Sequence, residues 1–148
     1  MKLALAESCT GGLVGHRITN VPGASGYFLG GIIAYANTAK SVLLGVALNT
    51  LQAHGAVSRE TALEMAHGAR KALGADIALS VSGVAGPGGG LPGKSVGTTW
   101  VGLSAPDGEW ARLFHFDGDR GENKALATDA ALQLLLEYLQ GTGDLGNR

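Results

Sequence analysis

The chain has 148 residues, and 25 of them are glycine, more than twice the ordinary usage of about 7%. Its 45% hydrophobic content is too high for a disordered chain, and its 11 basic and 12 acidic residues offer no broad basic face for nucleic acid. The single cysteine, Cys9, excludes an intrachain disulfide and a multi-cysteine zinc site. No apolar run reaches membrane-spanning length, and Glu7 ends the opening Leu3–Ala6 run before a signal-peptide core could form. A single cytoplasmic α/β domain is expected, with no nucleic acid or membrane partner. With so few polar side chains, its chemistry must sit in a few loops.

Leu3 to Ala6 reads as a short buried strand. A polar glycine turn, Glu7-Ser8-Cys9-Thr10-Gly11-Gly12, follows, and Leu13, Val14 and Ile18 then stand at helical spacing. Ser8 or Thr10 is placed to cap that helix. The turn Val21-Pro22-Gly23-Ala24-Ser25-Gly26 breaks it, and the apolar stretch Tyr27–Tyr35 reads as a second strand. Asn37 or Thr38 caps a short helix running to Leu44, a turn covers Asn49–His54, and Ser58 caps a helix to Leu73 that Gly74 stops.

Asp76–Ser82 reads as a buried strand, Gly83–Ser95 as a glycine loop and Val96–Ser104 as a strand. Pro106-Asp107-Gly108 turns the chain back into Glu109–Phe116 as an antiparallel partner. A long helix covers Glu122–Gln140, and 141–148 reads as a flexible tail beyond a single domain, 1–140. The order βα, βα, α, β, β, β, α suits a three-layer α/β/α sandwich with a mixed, mostly parallel sheet containing one antiparallel hairpin.

Four places could carry chemistry. The Glu7–Gly12 turn presents backbone N–H groups at a helix start, where an anion can bind, although an ordinary helix start has the same look. The loop Ser82–Gly90 can form a backbone nest for phosphate or carboxylate, or simply be surface. Ser25 sits in a turn where a hydroxyl is exposed, with Tyr35 and Lys40 further on. A lysine of lowered pKa beside a serine can serve as its base, although structural use of such residues is commoner. Arg120 could grip a phosphate or carboxylate, or pair with Asp119 or Glu122. His16, His54, His67 and His115 show no metal-ligand spacing, and a packing role for Cys9 outweighs a nucleophilic one.

Six segments in register resemble the CinA C-terminal domain family, across about Leu3 to Leu139. They are Ala6–Gly12, Pro22–Ser25, Gly31 with Tyr35 and Lys40, Gly55–Ser58, Gly83–Gly89 and Gly118-Asp119-Arg120. The resemblance implies a nicotinamide-nucleotide amidohydrolase. Such an enzyme deamidates nicotinamide mononucleotide to nicotinate mononucleotide and ammonia by a metal-independent serine–lysine reaction without a cofactor. It also suggests the stand-alone enzyme rather than a larger CinA protein.

Carried over by position, Ser25 is the expected nucleophile, Lys40 its base and Tyr35 the residue that orients them. Ser8, Thr10, Gly11, Ser82, Gly83, Gly86, Gly88, Gly89 and Arg120 are the expected substrate contacts. Ser82 replaces the family's usual threonine, Ser95 stands where proline is usual, and Asn123-Lys124 replaces an apolar residue and a second arginine. A homo-oligomer, most simply a dimer, is expected. The competing readings are a catalytically silent nucleotide-binding module and a hydrolase of another small amide.

Overall fold

The computed structural model describes residues 1–142 and 145. Five strands form one sheet in the order β2-β1-β3-β4-β5. They are β1 (Leu3–Glu7), β2 (Phe28–Ile33), β3 (Ile77–Gly83), β4 (Thr98–Ala105) and β5 (Gly108–His115). The helices are α1 (Leu13–Thr19), α2 (Asn37–Leu44), α3 (Leu48–His54), α4 (Arg59–Leu73) and α5 (Arg120–Gln140). A single 3-10 turn, Ala24–Gly26, precedes β2. Among the described residues no helix is long and apolar enough to cross a membrane.

β1 lies parallel to β2 on one side and to β3 on the other. The chain therefore leaves β1 in one direction through α1, returns over it through α2, α3 and α4, and enters β3. Right-handed crossovers in opposite directions put their helices on opposite faces. β1 shows the consequence residue by residue. Leu3 and Leu5 join a core beneath α1 and α5 with Val14, Leu79, Leu103 and Leu134, whereas Ala4 and Ala6 join a second core beneath α2 and α4 with Leu44, Val46 and Met65. The small alanines on that face bring α4 close to the sheet. α2 in turn reaches α4 because residue 68 is glycine: a Cβ there would lie 1.9 Å from the Leu44 carbonyl oxygen.

Most expected elements stand within a residue or two of their places, and the differences have physical causes. β3 and β4 pair antiparallel, as β4 and β5 do, so β4 alone runs against the other four strands and two of the four pairings are antiparallel. Leu48–His54 is a helix rather than a turn; it has no side-chain cap and no buried residue, so little in its pattern marks it. α5 starts at Arg120 because Asp119 and Glu122 form a reciprocal capping box. Of the expected tail, 143, 144 and 146–148 lie outside the described residues.

The start of α1 departs most from expectation. Neither Ser8 nor Thr10 caps it; the residue before the helix is Gly12, in the left-handed region at φ 106°. The cap comes from Glu7, the last residue of β1, which is buried. Its Oε1 accepts from the Val14 and Gly12 amides at 2.9 and 3.2 Å and from the Thr10 hydroxyl at 2.7 Å, and its Oε2 accepts from the Gly15 amide at 3.1 Å. One carboxylate thus satisfies the helix's free donors and ties the turn 8–12 to the sheet. Glu7→Ala should cost about 2–4 kcal/mol, because it leaves these donors unpaired in the interior. Urea unfolding checks this: the midpoint should fall with an unchanged slope. A midpoint within error of wild type would show that water replaces the carboxylate at no cost.

Candidate active site

β1, β2 and β3 are parallel and end side by side, and the residues just after their ends meet in one cleft. The sheet stays zipped slightly past each end: the Ser8 amide donates to the Val81 carbonyl at 2.9 Å and the Ala34 amide to the Glu7 carbonyl at 2.9 Å. Open α/β sheets bind ligands here, where successive crossovers leave in opposite directions. The cleft encloses about 250 Å³ and includes Ser8, Cys9, Tyr35, Lys40, Ser82 and Arg120, with the glycine loop at 83, 86, 88 and 89 as one wall. Its basic side chains are Lys40 and Arg120, and among the described residues no carboxylate lines it.

Lys40 is at its centre. α2 carries it inward, and only 1% of the residue is exposed. Its Nζ has three neighbours: the Tyr35 carbonyl at 2.8 Å, the Ser8 hydroxyl at 2.9 Å and the Ala34 carbonyl at 3.0 Å. A neutral amine has two N–H groups and one lone pair. The two carbonyls can only accept, so they take the N–H groups, and the lone pair is left for the Ser8 O–H. Burial pushes the Lys40 ammonium below the ordinary lysine value of 10.5. The Cys9 thiol beside it does not oppose that shift near neutrality, because burial raises it to about 11 and leaves it uncharged. This also rules against Cys9 as a thiolate nucleophile.

The remaining expected residues divide. Ser82, Gly83, Gly86, Gly88, Gly89 and Arg120 line the cleft with Ser8. Ser82 donates to the Ala56 carbonyl at 2.7 Å, which ties the 55–58 loop to the end of β3. Arg120 donates to the Gly86 carbonyl at 2.7 Å and to the Tyr35 hydroxyl at 3.1 Å, spanning the cleft from wall to wall. Gly86 is required as glycine, since its φ is +90° and a Cβ would lie 2.5 Å from the Val96 side chain.

Four expectations change. Ser25 does not pair with Lys40: it lies in the exposed turn before β2, whereas Lys40 follows the strand's other end. A strand of this length separates the two by roughly 20 Å. Ser8 holds the place expected of Ser25. Tyr35 holds Lys40 through its backbone carbonyl, while its phenol serves Arg120 at the rim. Thr10 is buried against Glu7 and does not line the cleft, and Gly11 lies outside it on the exposed side of the turn. Ala56 and Val57 line the cleft without having been expected there, although Gly55–Ser58 was one of the six segments that carried the resemblance.

The buried amine has a stability cost with a definite sign. Between its lowered pKa and 10.5 the unfolded chain holds a proton that the folded chain has lost, so stability rises with pH across that window. Below it, the folded protein pays to keep an ammonium in its interior. Lys40→Met should therefore leave the melting temperature at neutral pH unchanged or raised, and should flatten the alkaline rise in stability. Thermal unfolding across pH 7 to 11 checks both; a variant that melts well below wild type would mean the three-way bond is a net structural support.

The chain matches the CinA C-terminal domain over residues 1–139. It is 55% identical over 139 residues to a competence-damage inducible protein of Halothermothrix orenii, and 53% identical over 146 residues to a CinA-like protein of Chlorobaculum tepidum. It covers 34% of each of those proteins, while they match 93% and 95% of this chain. The crystal structure of competence/damage inducible protein CihA from Agrobacterium tumefaciens superposes with a TM-score of 0.89 at 40% identity, covering 92% of this chain and 84% of that one. The competence damage-inducible protein A structure from Klebsiella pneumoniae gives 0.91 at 35% identity, covering 94% of this chain and 86% of that one. A sheet with its cleft at the ends of β1, β2 and β3, and relatives matched along nearly its whole length, place this chain in the CinA C-terminal domain family.

Proposed function

We propose that this domain is an amidohydrolase acting on nicotinamide mononucleotide, with Ser8 as nucleophile and Lys40 as general base. The observation that carries this reading is the Lys40 amine, buried, shifted toward neutrality and 2.9 Å from the Ser8 hydroxyl. The Arg120 guanidinium, in a cleft whose lining holds no carboxylate among the described residues, favours an anionic substrate, as a mononucleotide is. The names of the relatives concern competence and the CinA family and name no reaction. The substrate itself comes from the resemblance carried by the six segments.

Ser8 Oγ attacks the carboxamide carbon as its proton passes to the Lys40 lone pair. The carbonyl oxygen becomes an oxyanion, and backbone amides of the surrounding turns hold it. Ser8's own amide is engaged with Val81 and takes no part. Lys40 then gives the proton to the departing nitrogen, and ammonia leaves a nicotinoyl ester on Ser8. A water, deprotonated by the again-neutral Lys40, cleaves that ester and releases nicotinate mononucleotide. The Ala34 and Tyr35 carbonyls stabilise the transient ammonium in each half. Arg120 and the glycine loop receive the ribose phosphate.

Ammonia release from nicotinamide mononucleotide, followed by a coupled dehydrogenase, tests the reading against free nicotinamide and NAD. The mononucleotide should be the preferred substrate, Ser8→Ala should lose at least about a hundredfold in kcat, and Ser25→Ala should stay near wild type. Absence of ammonia at high enzyme concentration would point instead to a nucleotide-binding module, and release from free nicotinamide alone to a smaller amide. The base must be neutral, so kcat/KM should rise tenfold per pH unit up to the lowered Lys40 pKa and then level off. A flat profile would remove Lys40 from that role. Gly88 tests the wall: nothing lies within 4 Å of a Cβ placed there. Gly88→Val should therefore raise KM without changing the melting temperature.

A further inference from the structure

Beside the cleft, across the 54–57 segment, lies a second cavity that the proposed reaction does not use. Gly102 lets α4 sit against β4, since a Cβ there would lie 2.6 Å from the Ala62 carbonyl oxygen. Trp100 and Thr98, at alternate positions before it, share that face of the sheet, with Leu113 and His115 opposite them on β5. α4 begins only at Arg59 and leaves this end of the face open: Leu113 is 41% exposed and His115 is exposed too. The uncovered sheet forms a cavity of about 550 Å³, a size usual for ligand pockets. His54, at the end of α3, and Lys94, in the loop before β4, complete its walls.

We propose that this cavity is a second binding site, for a mononucleotide whose base stacks on Trp100 and whose phosphate meets Lys94. Trp100 is half-buried, yet among the described residues its indole N–H has no hydrogen-bond partner. A partly buried indole ordinarily finds one; here a ligand atom can supply it. Lys94 gives one N–H to the His54 carbonyl and keeps two further donors. His115 spends Nδ1 on the Thr98 hydroxyl at 3.4 Å, which leaves Nε2. Glu60 is the one carboxylate among the described lining residues, against Lys94 and Arg59, and it lies 3.6 Å from His54 Nδ1. An excess of positive charge around an aromatic face suits a flat ring that carries an anion.

The cavity is separate from the cleft, and the partition between them is fastened. Three successive carbonyls are each held by a side chain from a different part of the fold: His54 by Lys94, Gly55 by Thr61 at 2.7 Å and Ala56 by Ser82 at 2.7 Å. Val57 alone belongs to both linings. The walls are therefore set before any ligand arrives, which lowers the cost of binding. Neither Ser8 nor Lys40 lines this cavity, so the proposal stands apart from the amidohydrolase reading.

Trp100 reports on its own site, because Trp110, the other tryptophan, is buried against Tyr138. Titrating the full chain with GMP should quench tryptophan emission with a Kd below about 1 mM. Guanosine and inorganic phosphate, each carrying one part of the ligand, should bind at least about tenfold more weakly. By calorimetry, Trp100→Leu and Lys94→Met should each lose at least about tenfold in GMP affinity. His115→Ala, at an exposed position outside both cores, should weaken binding severalfold with an unchanged far-ultraviolet spectrum. Arg120→Leu, in the catalytic cleft, should retain the GMP site and its quench. No GMP binding at about 5 mM overturns the proposal, and so does phosphate that binds as tightly as GMP. Binding lost in Arg120→Leu but kept in His115→Ala and Lys94→Met would put the nucleotide in the cleft and overturn it equally.

Discussion

Everything at the cleft depends on holding one lysine amine in the interior. Removing an ammonium from water is costly unless it is paired or gives up its proton. Here no carboxylate pairs with it, and it is met by two carbonyls and a hydroxyl. That set of partners suits a neutral amine as well as a charged one: the carbonyls take two N–H groups in either state, and the hydroxyl exchanges the roles of acceptor and donor. A group that can gain and lose a proton without rearranging its neighbours is what a shuttle between serine, leaving group and water needs. A carboxylate in place of either carbonyl would instead hold the amine in its charged form.

The fold supplies that arrangement through strand direction. Ser8, Ala34 and Ser82 follow or end three parallel strands, so they arrive at one edge whatever the loops do in detail. Glu7 adds precision from the opposite face of the same strand. Its side chain enters the α1 layer and fastens the turn that presents Ser8, while the next residue points toward α2 and Lys40. Gly68 then lets α2 press against α4, which sets the depth to which Lys40 is carried. The glycine excess divides accordingly. Some glycines, such as Gly68, admit close packing between elements, and others, such as Gly86, shape the wall of the cleft.

Much of this was legible in the sequence, and the part that was not has a common cause. The alternation of strands, helices and turns marks nearly every element, since it rests on local periodicity and on glycine and proline punctuation. The even division of parallel and antiparallel pairs is not local, and the cap on α1 comes not from the residue beside the helix but from Glu7, five to eight residues before the amides it accepts from. Glu7 reads as the end of an apolar run until its partners are known. The distance between Ser25 and Lys40 has the same origin: Ser25 is in an exposed turn and nearer Lys40 in sequence than Ser8 is, but it sits at the other end of β2. The signal that places Ser8 beside Lys40 is in the sequence, because parallel neighbouring strands bring together the residues after their ends, and Ser8 follows β1 as Lys40 follows β2. Arg120 and the 83–89 loop line the same cleft, beside those ends.

On the proposed reading, Ser8 is the serine that Lys40 activates. Labelling the protein with a serine-directed fluorophosphonate and mapping the modified peptide tests it most directly. A single adduct is expected on Ser8, formed faster as pH rises and lost in Lys40→Met. An adduct on Ser25, or labelling of Ser8 that is indifferent to Lys40→Met, would contradict it.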